Sequence, residues 1–244
     1  MIYYANPGQV SYGETLGILM LDSYAPFIPG DIGNAHTFPF PVRYETVKGL
    51  KPNNMVESDD KFYYPFLEAA RHLVQSGVKA ITGDCGYMAI FQKRLSRDLK
   101  VPVFLSSLLQ FHFLKHLIQE DEKIGVITAN SNLLDQNLLS SIDFHSMEDP
   151  IVIKGLENEP NFRSFAIDES GMLDTEEVQV EVITAAKQLC AENPDIKMFL
   201  LECSMLPPYA EALQDEVDLP VFDYTSMINY VYSAFTRKPF DQGH

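Results

Sequence analysis

A residue pattern around cysteine occurs twice in this chain, and the repeat limits the folds that the chain can adopt. Cys85 lies 17 residues before Pro102 in the run VPVF, and Cys203 lies 17 residues before Pro220 in the run LPVF, so both positions are offset by 118. Earlier in each half, LGILMLDS is echoed by IGVITANS at an offset of 108, which indicates a ten-residue insertion in the second half. The repeat predicts two homologous lobes, each with a strand that ends in cysteine.

Short apolar runs alternate with longer amphipathic runs along both halves. The runs that predict strands span 15–22, 79–84, 101–106, 123–129, 150–154, 196–202 and 219–223. Those that predict helices span 62–77, 174–192 and 225–235. Because the strands are apolar throughout rather than at every second residue, they indicate parallel sheets covered on both faces. The predicted fold class is therefore α/β, with two pseudo-symmetric Rossmann-like lobes, mainly parallel sheets and an active site in the cleft between them.

The same pattern suggests where each lobe begins and ends. We expect residues 1–108 together with 222–244 to form the first lobe, because the last helix should pack back onto it, and residues 109–221 to form the second. No Pro/Ser-rich linker separates the halves, so the lobes should lie close together. Ligands bind beyond the carboxyl ends of the strands in such sheets, so facing lobes bring both cysteines to one cleft.

The charge balance argues against several classes of partner. Lys and Arg total 18 against 34 Asp and Glu, for a formal charge of −16. The average surface therefore repels phosphate backbones and anionic lipid headgroups, and we expect no nucleic-acid and no membrane partner. The first residues lack the pattern of a signal peptide, and three cysteines cannot all pair within one chain, which together favour a cytoplasmic protein. A homodimer is the expected assembly, since dimers are the commonest soluble homo-oligomers.

Both repeated cysteines lie at a predicted strand-to-helix turn, in TGDCGYM and LECSMLPPYA. A helix N-terminus stabilises an anion, so the pKa of Cys85 and of Cys203 should be lowered from about 8.5 toward neutrality. Two such thiols on opposite sides of one carbon form an acid and a base that can invert a stereocentre beside a carboxylate. Cys190 lies on an amphipathic helical run and is expected to be a packing residue.

These two segments, with LGILMLDS and PGDIGNAHTFPFPVRYE before them, resemble the cofactor-independent aspartate/glutamate racemase superfamily over nearly the whole chain. That superfamily also includes hydantoin and allantoin racemases, maleate isomerases and arylmalonate decarboxylases. The resemblance implies a small carboxylate-bearing substrate between Cys85 and Cys203 as the two catalytic bases, with no cofactor. It also implies that substrate is bound by residues beside the cysteines and at the end of the first strand, namely Asp22, Ser23, Gly86, Tyr87 and Ser204.

Basic and histidine residues elsewhere are further candidates for binding roles. Arg43 follows a Pro-rich loop and is the candidate clamp for a second carboxylate on a dicarboxylic substrate. His112 and His116 lie four residues apart on a predicted helix, but the glutamate of the zincin pattern is absent, so no metal site is expected.

The predicted function is that of an isomerase, a cofactor-independent racemase or epimerase acting on aspartate, glutamate or a related small acid. The amino-acid racemases usually have Asn and Thr where this chain has Gly86 and Tyr87, and Thr where it has Ser204. These differences leave alternatives open. One is a hydantoin-racemase-like or maleate-isomerase-like enzyme on the same fold, and another is a non-catalytic binder of small acids.

Overall fold

Two four-stranded parallel sheets organise the computed structural model, which describes residues 2–55, 59–144 and 149–239. The strands of the first sheet are β1 (Leu16–Leu21), β2 (Val42–Val47), β3 (Ala80–Gly83) and β4 (Val103–Phe104), and those of the second are β5 (Lys123–Thr128), β6 (Ile151–Gly155), β7 (Ile196–Leu201) and β8 (Val221–Phe222). The spatial orders are β2-β1-β3-β4 and β6-β5-β7-β8, so the two sheets share one topology. The predicted α/β fold with two related parallel sheets is confirmed.

Helices connect and cover the strands. They are α1 (Asp60–Gln75), α2 (Gln92–Asp98), α3 (Phe111–Leu114), α4 (Gln136–Ser141), α5 (Pro160–Phe162), α6 (Thr175–Glu192), α7 (Ala210–Val217) and α8 (Tyr224–Phe235). α1 begins two residues before the predicted start because Asp59 caps it, accepting a hydrogen bond from the Lys61 N–H at 2.8 Å. α6 begins at the predicted place, where the Asp174 side chain accepts from two backbone N–H groups. Acidic caps therefore set the start of both long helices.

β2 is a strand that the sequence pattern does not predict. It lies at the edge of the first sheet and pairs with β1 in parallel, with Gly17 opposite Arg43. Most of its residues are only partly buried, and Arg43 and Glu45 interrupt any apolar run. Its structure depends on pairing with a fully buried neighbour, so its own residues carry little strand signal.

One hydrophobic cluster extends across both sheets. It contains Leu19 and Ile81 of the first sheet together with Ile124, Val126 and Leu200 of the second. A second cluster lies within the later half, where α6 packs on β5 and β7. The two sheets are thus joined by a shared core.

The last helix crosses back to the first sheet. Tyr224, Met227 and Ile228 of α8 belong to the same buried cluster as Leu16 and Ile18 of β1. The Tyr224 hydroxyl donates to the Leu105 carbonyl at 2.7 Å, just after β4. The end of the described chain therefore closes over the face of β1.

Within residues 2–55, 59–144 and 149–239, no helix combines the length and apolarity that a bilayer crossing requires.

Candidate active site

The two repeated cysteines line a single cavity between the sheets. Cys85 lies two residues after β3 and Cys203 two residues after β7, at the carboxyl ends of corresponding strands. The cavity has a volume of about 70 Å³. Its walls also include Leu21, Ser23, Lys51, Pro52, Asp84, Gly86, Tyr87, Ala129, Asn130, Leu133, Ala166, Ile167, Glu169, Glu202, Ser204 and Met205. The expectation that the repeat brings both thiols to one cleft is met.

Each cysteine begins a tight turn that directs a backbone N–H at its sulfur. The Tyr87 N–H hydrogen-bonds to the side chain of Cys85, and the Met205 N–H does the same for Cys203. Cys85 itself has extended backbone geometry and caps a 3-10 helix over Gly86–Phe91. The two sulfurs therefore have matching local environments, as the sequence repeat predicts.

The thiol pKa values differ from the sequence expectation. Burial raises the pKa of Cys85 well above its usual value, and the carboxylates of Glu202 and Asp84 raise it further. Burial also raises the pKa of Cys203, with Glu202 again the largest charge effect. The prediction of near-neutral thiols was wrong, because loss of hydration and nearby acidic groups outweigh one backbone N–H at each sulfur.

An acidic residue directly precedes both Cys85 and Cys203, and neither acid was predicted from the sequence to belong to the site. Asp84 is buried, and both of its carboxylate oxygens lie 3.1 Å from the Leu21 N–H, which donates to them. Burial raises the pKa of Asp84 well above its ordinary value. Asp84 and Glu202 share the cysteines' offset of 118, so the repeat itself was the signal that could have identified them.

Glu202 is 1% exposed and lies at the base of the cavity. Its Oε2 accepts a hydrogen bond from the Thr128 hydroxyl at 2.8 Å, whereas Oε1 has no hydrogen-bond partner among the described residues. Burial raises the pKa of Glu202 to about 7. A β-carbon built at Gly86 would overlap Glu202 Oε1, so glycine at that position lets the carboxylate lie against the turn beside Cys85.

Tyr87 and Ser204 connect the two lobes across the cavity. The Tyr87 hydroxyl accepts from the Asn130 N–H at 2.8 Å, at the carboxyl end of β5. The Ser204 hydroxyl donates to the carbonyl of Asp84, just after β3. Both residues line the cavity as the resemblance implies, but each hydroxyl is engaged by the opposite lobe.

The remaining predicted binding residues lie in different places. Ser23 lines the cavity, whereas Asp22 is exposed and its carboxylate accepts from the Gly49 N–H at 3.0 Å. Arg43 pairs with Glu14 at 3.0 Å and also donates to the Ser11 hydroxyl. Neither Asp22 nor Arg43 belongs to the described cavity wall.

A lysine at the open edge of the cavity was not singled out from the sequence. The Lys51 side chain is 57% exposed, and its Nζ lies 3.0 Å from Glu169 Oε2. Glu169 also accepts from the Tyr24 N–H at 3.2 Å through its other oxygen. Among the described wall residues, Lys51 is the one Lys or Arg, and its side chain is exposed, whereas the wall residues Asp84 and Glu202 are buried.

The segment that follows β6 forms one side of the cavity. Ala166 and Ile167 lie in a π-helical turn, Arg163–Ile167, that continues directly from α5. Glu181 of α6 anchors the start of this segment, accepting from the backbone N–H groups of Asn161 at 2.9 Å and Phe162 at 2.7 Å. This wall is therefore held by a buried carboxylate on a neighbouring helix.

Several solved structures share the fold of this chain. The chain matches a variant of arylmalonate decarboxylase with a TM-score of 0.61 at 13% identity, covering 93% of this chain and 97% of that one. Allantoin racemase from Klebsiella pneumoniae gives 0.59 at 15% identity, with 90% and 89% covered. Glutamate racemase RacE1 from Bacillus anthracis gives 0.58 at 17% identity, with 91% and 81% covered. These racemases and this decarboxylase share the two-lobe α/β fold of the chain.

Sequence relatives identify the family. The dimethylsulfoniopropionate lyase of Durusdinium sp. clade D is 31% identical over 236 residues, which cover 92% of this chain and 76% of that protein. Dimethylsulfoniopropionate lyases 7 and 5 of Emiliania huxleyi (strain CCMP1516) are 30% and 31% identical over 92% of this chain, with 68% and 46% of their own lengths covered. No protein-family model matches the chain. The chain belongs to the dimethylsulfoniopropionate lyase family.

Proposed function

We propose that this chain is a lyase that cleaves dimethylsulfoniopropionate into acrylate, dimethyl sulfide and a proton. One observation carries the proposal: in a member of this family, two thiols line a cavity whose described wall has buried acidic residues and an exposed lysine. The substrate is a zwitterion, with a sulfonium at one end and a carboxylate at the other. Its two charges match the polarity of this cavity.

The charge distribution orients the substrate. Asp84 and Glu202 lie at the inner end beside the cysteines, where they favour the sulfonium. Lys51 lies at the edge, where it favours the carboxylate despite its ion pair with Glu169. In this orientation the carbon next to the carboxylate lies between the two charged ends, within the part of the cavity that the thiols line.

The chemistry is a β-elimination that starts from a thiolate. One cysteine removes a proton from the carbon beside the carboxylate, and the electron pair of that C–H bond forms the new C=C bond. The bond between the β-carbon and sulfur breaks, and its electrons leave with dimethyl sulfide. The proton then passes from the cysteine to solvent. No cofactor enters these steps.

The raised thiol pKa values fit a cationic substrate. An isolated thiol beside Glu202 and Asp84 holds its proton, since burial and negative charge both oppose ionisation. A sulfonium placed among these groups supplies the opposite charge and lowers the pKa of the thiol that faces it. Substrate binding therefore helps to form the thiolate that acts as the base.

Racemisation of a small amino acid is the second candidate. It starts with removal of the same kind of proton, and the two cysteines on one cavity are the observation that favours it. A racemase returns a proton to the opposite face, whereas a lyase expels a leaving group from the β-carbon. The two reactions thus share a base and differ in the fate of the carbanion.

The test measures both reactions on the purified protein. Dimethyl sulfide release from dimethylsulfoniopropionate is followed by gas chromatography, and α-proton exchange of each enantiomer of aspartate and glutamate is followed by proton NMR in D2O. We expect dimethyl sulfide release by the wild type and a loss of ~100-fold or more in Cys85→Ala, Cys203→Ala or both. Cys190→Ala, a partly buried thiol on α6, is the matched control and should keep the wild-type rate.

Two outcomes would overturn this assignment. Exchange and inversion of an amino acid without dimethyl sulfide release would establish the racemase instead. Full dimethyl sulfide release by both Cys85→Ala and Cys203→Ala would exclude a cysteine base.

A further inference from the structure

Glu202 lines the cavity and has one carboxylate oxygen without a hydrogen-bond partner among the described residues. The Thr128 hydroxyl donates to Oε2 and the Ala129 N–H also stabilises the carboxylate, but Oε1 lies buried against Gly86 without a donor. A buried carboxylate with incomplete hydrogen bonding costs free energy, because water has been removed from it. A positive charge bound in the cavity would offset this cost by electrostatic attraction.

The groups around Glu202 do not supply a positive charge. Cys85, Cys203 and Tyr87 interact with it electrostatically across the cavity, as does Tyr224 from α8, and all four are neutral or acidic groups. Asp84 adds a further carboxyl on the other lobe. The Lys51 ammonium is at the cavity edge, bound to Glu169. A positive charge beside Glu202 must therefore come from the ligand.

We propose that Glu202 is the cation-binding residue of the site, and that its carboxylate selects a substrate bearing an onium group over a neutral one of the same shape. This proposal rests on the proposed function for the identity of the onium, a dimethylsulfonium. Asp84 is less suited to this role, because the Leu21 N–H already engages both of its oxygens. Glu202 is thus a specificity-determining residue, distinct from the base.

The nature of the contact determines which substitution tests it. A sulfonium has no N–H or O–H to donate, so its attraction to Glu202 is between charges rather than through a hydrogen bond. Glu202→Gln keeps the size of the side chain and an oxygen that accepts from Thr128, but it removes the charge. The variant should therefore fold and lose preference for the cation.

The experiment compares two unreactive ligands of equal shape. 3-(Trimethylammonio)propanoate is cationic at one end, and 4,4-dimethylpentanoate replaces its nitrogen by carbon, so both have the same carboxylate and the same bulk. Calorimetric titration gives the ratio of their Kd values. We expect the wild type to prefer the cation, and this preference to fall by at least ~10-fold in Glu202→Gln. A thermal melt of the variant confirms that it is folded.

Glu169→Gln is the matched control at the same cavity. It removes an acidic group that contacts Lys51, so it changes the binding of the carboxylate that both ligands share. The ratio of the two Kd values should then stay at the wild-type value. A fall in this ratio equal to that of Glu202→Gln would overturn the specific role of Glu202.

The pH dependence gives an independent readout. Since burial raises the pKa of Glu202 to about 7, its charge increases between pH 6 and pH 8. Wild-type preference for the cation should grow over this interval. The titratable neighbours of Glu202 are present in both proteins, so the part of the pH dependence that Glu202→Gln removes is due to Glu202. These neighbours are Asp84, Cys85, Cys203, Tyr87 and Tyr224, with Asp31 beyond Cys203.

The possible failures are distinguishable. If Glu202→Gln retains the wild-type ratio of Kd values, the inference is wrong even where the wild type releases dimethyl sulfide. If the wild type releases none but prefers the ammonium ligand in a manner that depends on Glu202, the lyase assignment fails and cation binding by Glu202 is supported.

Discussion

Cys85 and Cys203 each lie between an acidic residue and a tight turn, and the acidic residue affects the thiol pKa more than the turn does. The turn after Cys85 is a short 3-10 helix, and the one near Cys203, Pro207–Tyr209, begins four residues later. Such turns supply one backbone N–H each rather than the aligned dipoles of a long helix. Turns of this length therefore do not stabilise a thiolate in the absence of substrate. Composition and spacing do not reveal those lengths.

A buried carboxyl outside the cavity wall should make stability depend on pH. Asp31 is 1% exposed, its Oδ1 accepts from the Gly33 N–H at 2.8 Å, and burial raises its pKa to about 7. A pKa that is higher in the folded state means that the folded protein holds the proton more tightly. The stability from this carboxyl is therefore present at low pH and lost as the pH rises from about 4 through 7.

Asp31→Asn isolates that effect. Asn keeps an acceptor for Gly33 without the charge, so the free energy of unfolding of the variant, relative to that of the wild type, should increase by about 2.5 kcal/mol between pH 5 and pH 8. Urea denaturation at both pH values measures the difference. An equal difference at pH 5 and pH 8 would show that the charge of Asp31 is not its cause.

At the scale of elements, apolar runs located seven of the eight strands in the part of the chain that the structure describes, and the edge strand β2 was the exception. β2 and β6 occupy the same place in their sheets, so the repeat contained the missing information even though the residues of β2 did not. The side wall of the cavity was likewise not predicted. It depends on Glu181, whose role is set by contacts between residues about 20 positions apart rather than by any local pattern.

Removal of the Glu181 carboxylate should loosen that wall. In Glu181→Ala the N–H groups of Asn161 and Phe162 lose their acceptor, which should destabilise the protein by about 1–3 kcal/mol. Because Ala166 and Ile167 lie further along the same segment, KM for dimethylsulfoniopropionate should rise more than kcat falls. Steady-state kinetics and urea denaturation test both parts. Glu192→Ala, an exposed position at the end of α6, is the control, and a similar rise in KM there would contradict this explanation.

For the molecule as a whole, the shared core is as important as the shared topology. The cluster that contains Leu19 of the first sheet also contains Val126 and Leu200 of the second. The Ser107 hydroxyl donates to the Leu201 carbonyl at 2.8 Å, which joins the segment after β4 to β7. The repeat predicted two related lobes and a common cleft, but it did not predict that the two lobes would share a hydrophobic cluster.

This arrangement should make the two lobes unfold together. We expect one calorimetric transition, with a calorimetric enthalpy equal to the van't Hoff enthalpy, because neither sheet can lose its packing without exposing the other. Differential scanning calorimetry measures both quantities. Two resolved transitions would show that the lobes are independent in stability.

The contact between Gly86 and Glu202 also links the evolution of the two halves of the chain. The turn after Cys85 and the residue before Cys203 occupy adjoining space, so a β-carbon at position 86 would overlap both the carboxylate and the backbone carbonyl of Glu202. Among relatives of this protein, a change at position 86 should therefore be accompanied by a change at position 202. A lineage that gains a side chain at the first must displace the whole residue at the second, and with it the carboxylate that we propose prefers a cationic substrate. The boundary between family members that accept onium compounds and those that do not should then follow this pair of residues rather than the cysteines.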